Sequence, residues 1–356
     1  MMRLGAAAQA LRAQLHGSDT EFTGVNSDTR KLQPGELFVA LQGPNFDGHD
    51  FVAQAQTLGA VGALTSRRVD GGLPQIVARD TRLALGELAA HWRRQFKIPL
   101  IAITGSNGKT TVKNMTAAIM AQRGAGLVTQ GNLNNDIGMP LTLLRLRAHD
   151  RFAVIEMGMN HLGEIEYLTN LARPTIALIN NAAAAHLEGL GSVENVARAK
   201  GEIFSGLAAD GVAVINADDP FADFWRRLAG ARRVLTFGLE RAADVRGSFT
   251  PGTDAYDIQM TTPGGSIRMS LSLLGKHNVA NALAAGAAAL SAGATLEDIK
   301  LGLEKLRSAS GRLEIKAGIG GARRLPHPAE YPEAGALRFG ETGEERPERQ
   351  EVDIAG

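Results

Sequence analysis

The chain alternates short apolar runs with longer stretches of mixed polarity. Apolar runs at Leu100–Thr104, Phe152–Glu156, Thr175–Asn180, Gly211–Ile215 and Arg233–Thr236 are bounded by turn-forming residues, and each reads as a buried strand. Helix-like stretches fall between them, at Val193–Leu207 and Asp218–Leu228. This alternation predicts a mostly parallel sheet covered by helices on both faces. From 244 to 274 the pattern changes to period two (Ile267, Met269, Leu271, Leu273), which predicts added antiparallel strands. Two helices follow, near Asn278–Ala292 and Leu296–Leu306. Ahead of this region, Glu36–Leu41 reads as a strand, Phe51–Gly59 as a helix and 71–74 (Gly-Gly-Leu-Pro) as a turn. The fold class is therefore α/β. Residues 1–97 form a small α/β domain, 98–310 a central domain, and 311–356 a stub with a tail.

The tail breaks the pattern. From Ala322 to Gly356 it carries four prolines, five arginines and eight acids, with no periodicity left. Such a segment buries too little apolar surface to offset its ordering entropy, and it is expected to be disordered.

Composition narrows the chemistry. Lys+Arg at 38 balances Asp+Glu at 37, so nothing points to nucleic acid or an anionic membrane. Cysteine is absent, which excludes disulfides, thiolate metal sites and a cysteine nucleophile. No apolar run reaches the ~20 residues of a membrane span, and Met1–Leu15 lacks a signal-peptide core. A soluble, cytoplasmic monomer is expected.

The most informative segment is Leu100–Lys113. A strand breaks at Gly105 and Gly108, and a helix-compatible stretch follows Lys109. Glycines let successive N–H groups face an anion, and the helix N-terminus adds a favourable partial charge. Lys109 would neutralise terminal phosphates, and the Thr110 hydroxyl would reach a magnesium ion. The usual phosphate loop has a glycine where this chain has Ile103, so the spacing is a variant. Glu156 ends a strand at the edge where open parallel sheets bind ligands, and suits magnesium. His186 follows the next strand. Lys200 lies on the helix beyond, where a solvated lysine is the default reading.

Five ordered motifs carry a resemblance. They are 104–111 (Thr104, Gly105, Ser106, Asn107, Gly108, Lys109, Thr110, Thr111), 131–140, 156–165, 185–192 and 199–203. Together they resemble the Mur ligases, ATP-dependent amide-forming enzymes of peptidoglycan precursor synthesis. The branch indicated is the one that adds D-alanyl-D-alanine to UDP-N-acetylmuramoyl-tripeptide through an acyl phosphate. The resemblance implies ATP and two Mg2+ ions as cofactors, with Thr110, Glu156, His186 and Lys200 at the metals. Lys200 would be carbamylated, and Lys109, Lys200 and His186 would form the catalytic set. Ser27, Asp28, Thr29 and Arg30, with Asp47, Gly48 and His49, resemble uridine-nucleotide segments. Arg30 suits a diphosphate because its guanidinium presents several donors in one plane. Asn132, Asn134 and Asn135 are loop amides suited to substrate carboxyl or amide groups. His277, Asn278 and Asn281 resemble the part lining the adenine, and Arg312 the hinge arginine at the nucleotide phosphates.

The resemblance stops near Ala322. Similar ligases continue into a third domain that binds the incoming amine, and 323–332 replaces the segment expected to open it. The chain as written is thus expected to be impaired or inactive in ligation. It is either a frameshifted ligase or a genuine two-domain product. A branch that adds a single amino acid (MurE type) and a non-catalytic nucleotide-binding module are the alternatives.

Overall fold

The computed structural model describes residues 1–185 and 187–306, and two short strands further on. Residues 1–306 fall in one unit, built on two sheets. The strands Lys316–Ala317 and Arg323–Arg324 pair antiparallel in a second unit. Arg312 and the rest of the tail from Ala322 lie outside the described residues, as does His186.

The larger sheet has nine strands. In spatial order they are Leu127–Val128, Ala153–Glu156, Leu100–Thr104, Ile176–Ile179, Val212–Asn216, Arg233–Gly238, Val245–Pro251, Tyr256–Thr262 and Gly265–Leu271. All neighbours pair parallel up to Val245–Pro251, and the last two strands are antiparallel. The apolar runs read from the sequence are these parallel strands, and the period-two stretch is the antiparallel edge.

Strand geometry explains how the sheet is covered on both sides. Successive side chains point to opposite faces. Leu100 and Ala102 therefore join a core with helices Thr81–Arg93, Glu164–Ala172 and Val193–Gly201. Ile101 and Ile103 join a second core with helices Lys109–Met120, Lys276–Ser291 and Leu296–Glu304. Continuous apolar runs rather than alternating ones are what a doubly covered strand needs.

The smaller sheet orders Gln14–His16, Gln75–Val77, Gly62–Thr65, Glu36–Val39 and Gly24–Asn26, parallel except at Gln14–His16. One face contributes Leu37, Leu64 and Ile76 to the same core as Leu100. Its other face packs Phe38 and Ala63 against the helix Val52–Thr57. The helix Thr81–Arg93, which the sequence reading passed over, is capped by Asp80 and buries Leu85, Leu88 and Ala89 between the two sheets.

Candidate active site

The phosphate-loop strand Leu100–Thr104 lies between Ala153–Glu156 and Ile176–Ile179, so its carboxyl end opens where two neighbouring loops converge. The loop after Ile179 pins the glycine loop: Ser106 N–H donates to Asn181 O at 3.0 Å, and Asn107 N–H to Asn181 Oδ1 at 2.8 Å. Gly108 has φ +76°, and a Cβ there would sit 2.6 Å from Asn281 Oδ1 and 2.7 Å from Asn180 Nδ2. Only glycine meets both demands. Lys109 Nζ folds over the loop, donating to Gly105 O at 2.7 Å and Ser106 O at 3.3 Å. Burial lowers its pKa, partly countered by Glu156. Thr104 Oγ1 is bonded to Met157 O at 3.0 Å, and Thr111 is half-buried on the first turn of the helix.

Glu156 is 3% exposed, and its backbone N–H donates to Thr129 Oγ1 at 3.0 Å. Its carboxylate collects three partners. Thr110 Oγ1 donates to Oε2 at 3.2 Å, Asn134 Nδ2 donates to Oε1 at 2.8 Å, and Lys113 Nζ lies 3.6 Å from Oε2. The three asparagines thus separate. Asn134 reaches Glu156, Asn135 Oδ1 accepts from Gly138 N–H at 2.8 Å at the start of the helix Gly138–Leu143, and Asn132 is exposed.

Among the described residues, no three His, Cys, Asp or Glu side chains gather in a metal-binding cluster. The oxygen donors present at the loop are Glu156 and Thr110. A carboxylate and a hydroxyl beside a phosphate loop are the hard ligands that magnesium accepts, so this set fits the ion. Lys200 is 2% exposed and has no hydrogen-bond or ion-pair partner among the described residues. Its pKa is pushed down to about 7, first by burial and then by the positive charge of Lys109. That repulsion reflects a second amine brought toward the phosphate loop.

A chain of amides runs from the loop to the helix Lys276–Ser291. Asn180 Nδ2 donates to Asn107 O and to Asn281 Oδ1, both at 3.0 Å. Asn281 Nδ2 donates to Asn278 Oδ1 at 3.2 Å, and Asn278 Nδ2 to Leu274 O at 2.7 Å. His277 is exposed beside them.

At the smaller sheet, the predicted segments follow the carboxyl ends of Gly24–Asn26 and Glu36–Val39. Arg30 is exposed and forks onto Asp28 through Nε and Nη2, both at 2.9 Å. Ser27 is half-buried, and Thr29 Oγ1 donates to Gln54 Oε1 at 3.3 Å. His49 is buried, its Nδ1 2.5 Å from Asp47 Oδ1, while Nε2 accepts from Ser66 N–H at 2.9 Å. This fixes the neutral tautomer with Nδ1 protonated. Gly48 packs so closely on Leu41 that a Cβ would sit 2.5 Å from its carbonyl oxygen. A cavity of about 620 Å³ joins the two sheets, with Asp80 and Arg82 on one wall and Lys109, Asn134 and Asp136 on the other.

Residues 103–289 match the Mur ligase middle domain, and residues 21–93 match the Mur ligase family, catalytic domain. The UDP-N-acetylmuramoyl-tripeptide--D-alanyl-D-alanine ligase of Escherichia coli is 51% identical over 305 residues, which are 85% of this chain and 68% of that protein. The chain belongs to the Mur ligase family. Among solved structures, the UDP-N-acetylmuramoylalanyl-D-glutamyl-2,6-diaminopimelate--D-alanyl-D-alanyl ligase from Acinetobacter baumannii superposes with a TM-score of 0.83 at 38% identity. That match covers 90% of this chain and 72% of the other. The MurF ligase from Thermotoga maritima, solved in complex with ADP, superposes at 0.76 with 25% identity, covering 85% and 70% of the two chains.

Several residues of this Mur ligase site are absent from the sequence reading. Lys113 stands one turn beyond Lys109 on the same helix, where the pattern offers only another lysine. Asn180 and Asn181 end a strand and pin the loop, but isolated asparagines after a strand read as a turn. Asp219 accepts from Ala182 N–H at 2.8 Å and so holds the start of the loop leading to His186.

Proposed function

We propose that the chain is a MurF-type ligase, joining D-alanyl-D-alanine to UDP-N-acetylmuramoyl-tripeptide at the expense of ATP. The observation that carries this reading is a cavity with the phosphate-loop lysine on one wall and, on the other, the first turn of the helix that follows the smaller sheet's strand Gln75–Val77. Such a cavity lets a UDP-substrate anchored on one sheet extend its peptide to a triphosphate held on the other. The single-amino-acid alternative has no comparable support, because the relatives described above carry the D-alanyl-D-alanine name.

In the first step, the tripeptide carboxylate attacks the γ-phosphorus, the bond to the β–γ bridging oxygen breaks, and ADP leaves. In the second, the dipeptide amine attacks the acyl carbon, phosphate leaves and the amine loses a proton. Carboxylate and triphosphate repel each other, so the site must neutralise charge before they meet. Lys109 would exchange its two loop carbonyls for phosphate oxygens, a change from neutral to charge-assisted hydrogen bonds. Thr110 and Glu156 would hold one Mg2+, and His186 with carbamylated Lys200 a second; bound there, the ions would withdraw charge from the phosphates. Lys200 is suited to carbamylation because burial keeps a share of its amine neutral near pH 7, and only the neutral amine attacks carbon dioxide. The amide chain from Asn107 to Asn278 would position the nucleoside beside the loop. The carboxyl edge of the smaller sheet, at 27–30 and 47–49, would hold the uridine diphosphate. The dipeptide site is assigned to the family's third domain.

The test is acyl-phosphate trapping. The chain is incubated with MgATP, UDP-tripeptide and hydroxylamine, and hydroxamate and ADP are measured. Tripeptide-dependent hydroxamate supports the reading, and Lys109→Ala should lower it by about 10²–10³-fold. Binding of both ligands without hydroxamate would overturn catalysis in favour of a non-catalytic binding module.

A further inference from the structure

The strand Val212–Asn216 lies between Ile176–Ile179 and Arg233–Gly238 and runs parallel to both. Its carboxyl end is therefore flanked by the loops that follow those two strands. Ala217, Asp218 and Asp219 succeed Asn216 there, and the two acids bind different loops.

Asp219 is 5% exposed. Its Oδ1 accepts from Phe221 N–H at 2.9 Å, as in any local turn opened by an aspartate. Its Oδ2 accepts from Ala182 N–H at 2.8 Å, 37 positions away, a bond the local turn does not require. The residues on either side of Ala182 clasp the phosphate loop. Asn181 O and Oδ1 receive the Ser106 and Asn107 N–H groups. Ser106 Oγ accepts from Ala183 N–H at 2.9 Å and donates to Ala183 O at 3.2 Å. Anchoring Ala182 thus fixes both halves of the clasp.

Asp218 holds the other loop. Its Oδ2 accepts from Leu239 N–H at 2.6 Å, and its Oδ1 from Glu240 and Arg241 N–H at 3.1 and 2.7 Å. Gly238 leaves room for it, since a Cβ there would sit 2.8 Å from Asp218 Oδ1. Leu239 packs against the core that holds Val279 and Leu283, on the helix carrying Asn278 and Asn281.

We propose that Asp218 and Asp219 are paired positioning residues for the nucleotide, Asp219 setting the phosphate loop and Asp218 the wall beside the nucleoside. Each acts through the backbone it holds. A carboxylate suits this task because both its oxygens accept, whereas an amide accepts at one atom only. The inference rests on the ligase reading for where the nucleotide lies, and adds which residues set each half of its site.

Calorimetric titration of the whole chain with three probes separates the halves. These are MgATP, magnesium tripolyphosphate (the triphosphate without a nucleoside) and UDP-N-acetylmuramic acid. Asp219→Asn should weaken MgATP and tripolyphosphate alike, each about tenfold. Asp218→Asn should weaken MgATP by a similar factor and leave tripolyphosphate within about twofold. Both variants should hold UDP-N-acetylmuramic acid as the parent does, which a general loss of structure would not allow. Ser106→Ala opens the clasp from the loop side. Combined with Asp219→Asn, it should weaken MgATP by less than the product of the two single factors, because both changes release one contact. Asp219→Ser, neutral and with one acceptor oxygen, repeats the test if Asp219→Asn does not fold. Parental tripolyphosphate affinity in the folded Asp219 variant, an equal loss of tripolyphosphate in Asp218→Asn, or full multiplication in the double variant overturns the positioning and leaves the ligase reading standing. A parent that binds MgATP but not tripolyphosphate overturns the division into halves. A parent that binds neither overturns the nucleotide's placement, and the positioning with it.

Discussion

Lys113→Met isolates the charge arrangement around Glu156. The two side chains lie 3.6 Å apart, each about 4% exposed, so neither charge has water to fall back on. Methionine keeps the length of the lysine stem and most of its packing while deleting the ammonium. Breaking a buried ion pair from one side costs about 3–5 kcal/mol, because the remaining charge is left uncompensated. Glu156 would keep the Thr110 hydroxyl and the Asn134 amide, which moves the expected loss to the lower end, about 3 kcal/mol. Glu156→Gln alone strands the lysine in the same way, whereas the double variant removes both charges and should recover part of the loss. Urea denaturation at unchanged slope would measure each stability, with an expected coupling of about 2 kcal/mol. Excess Mg2+ should also stabilise Lys113→Met more than the parent, since a cation at Glu156 replaces the missing charge. A loss below about 1 kcal/mol, or strictly additive single variants, would refute the argument that this buried pair is what the fold organises around Glu156.

Two further outcomes follow from the same geometry. The folded state keeps Lys200 neutral down to about pH 7 while the unfolded chain protonates it near its ordinary 10.5, so unfolding takes up a proton across that window. In buffer free of carbon dioxide, stability should rise with pH between those values by on the order of 4 kcal/mol, and Lys200→Met should abolish the rise; an identical pH profile in the variant would contradict it. Gly108→Ala forces a Cβ into a left-handed backbone position between Asn180 and Asn281. It should weaken ATP binding about tenfold or more by displacing the loop, and calorimetry showing parental affinity would refute that constraint.

What was legible in the sequence was local. The strand Leu100–Thr104, the two glycines and Lys109 are contiguous, so composition and spacing suffice to place a phosphate loop. The helix Thr81–Arg93 was also within reach. Asp80 is an N-cap residue, and Leu85, Leu88, Ala89 and Trp92 repeat at helical spacing behind it. What stayed hidden is pairing across distance. Asn180 and Asn281 are 101 positions apart and meet only because one ends a central strand while the other opens a helix packed on its face. Glu156 and Lys113 are separated by a loop, a strand and a helix, and nothing in either neighbourhood marks the lysine as buried. The consequence is physical. Lys109 and Lys113 both act on the buried Glu156 carboxylate, and Lys200 is buried within reach of the Lys109 charge, an arrangement costly to build and useful only where an anion completes it. This set of amines is therefore the feature that ties the fold to phosphate chemistry, and it emerges only when the strands have been brought side by side.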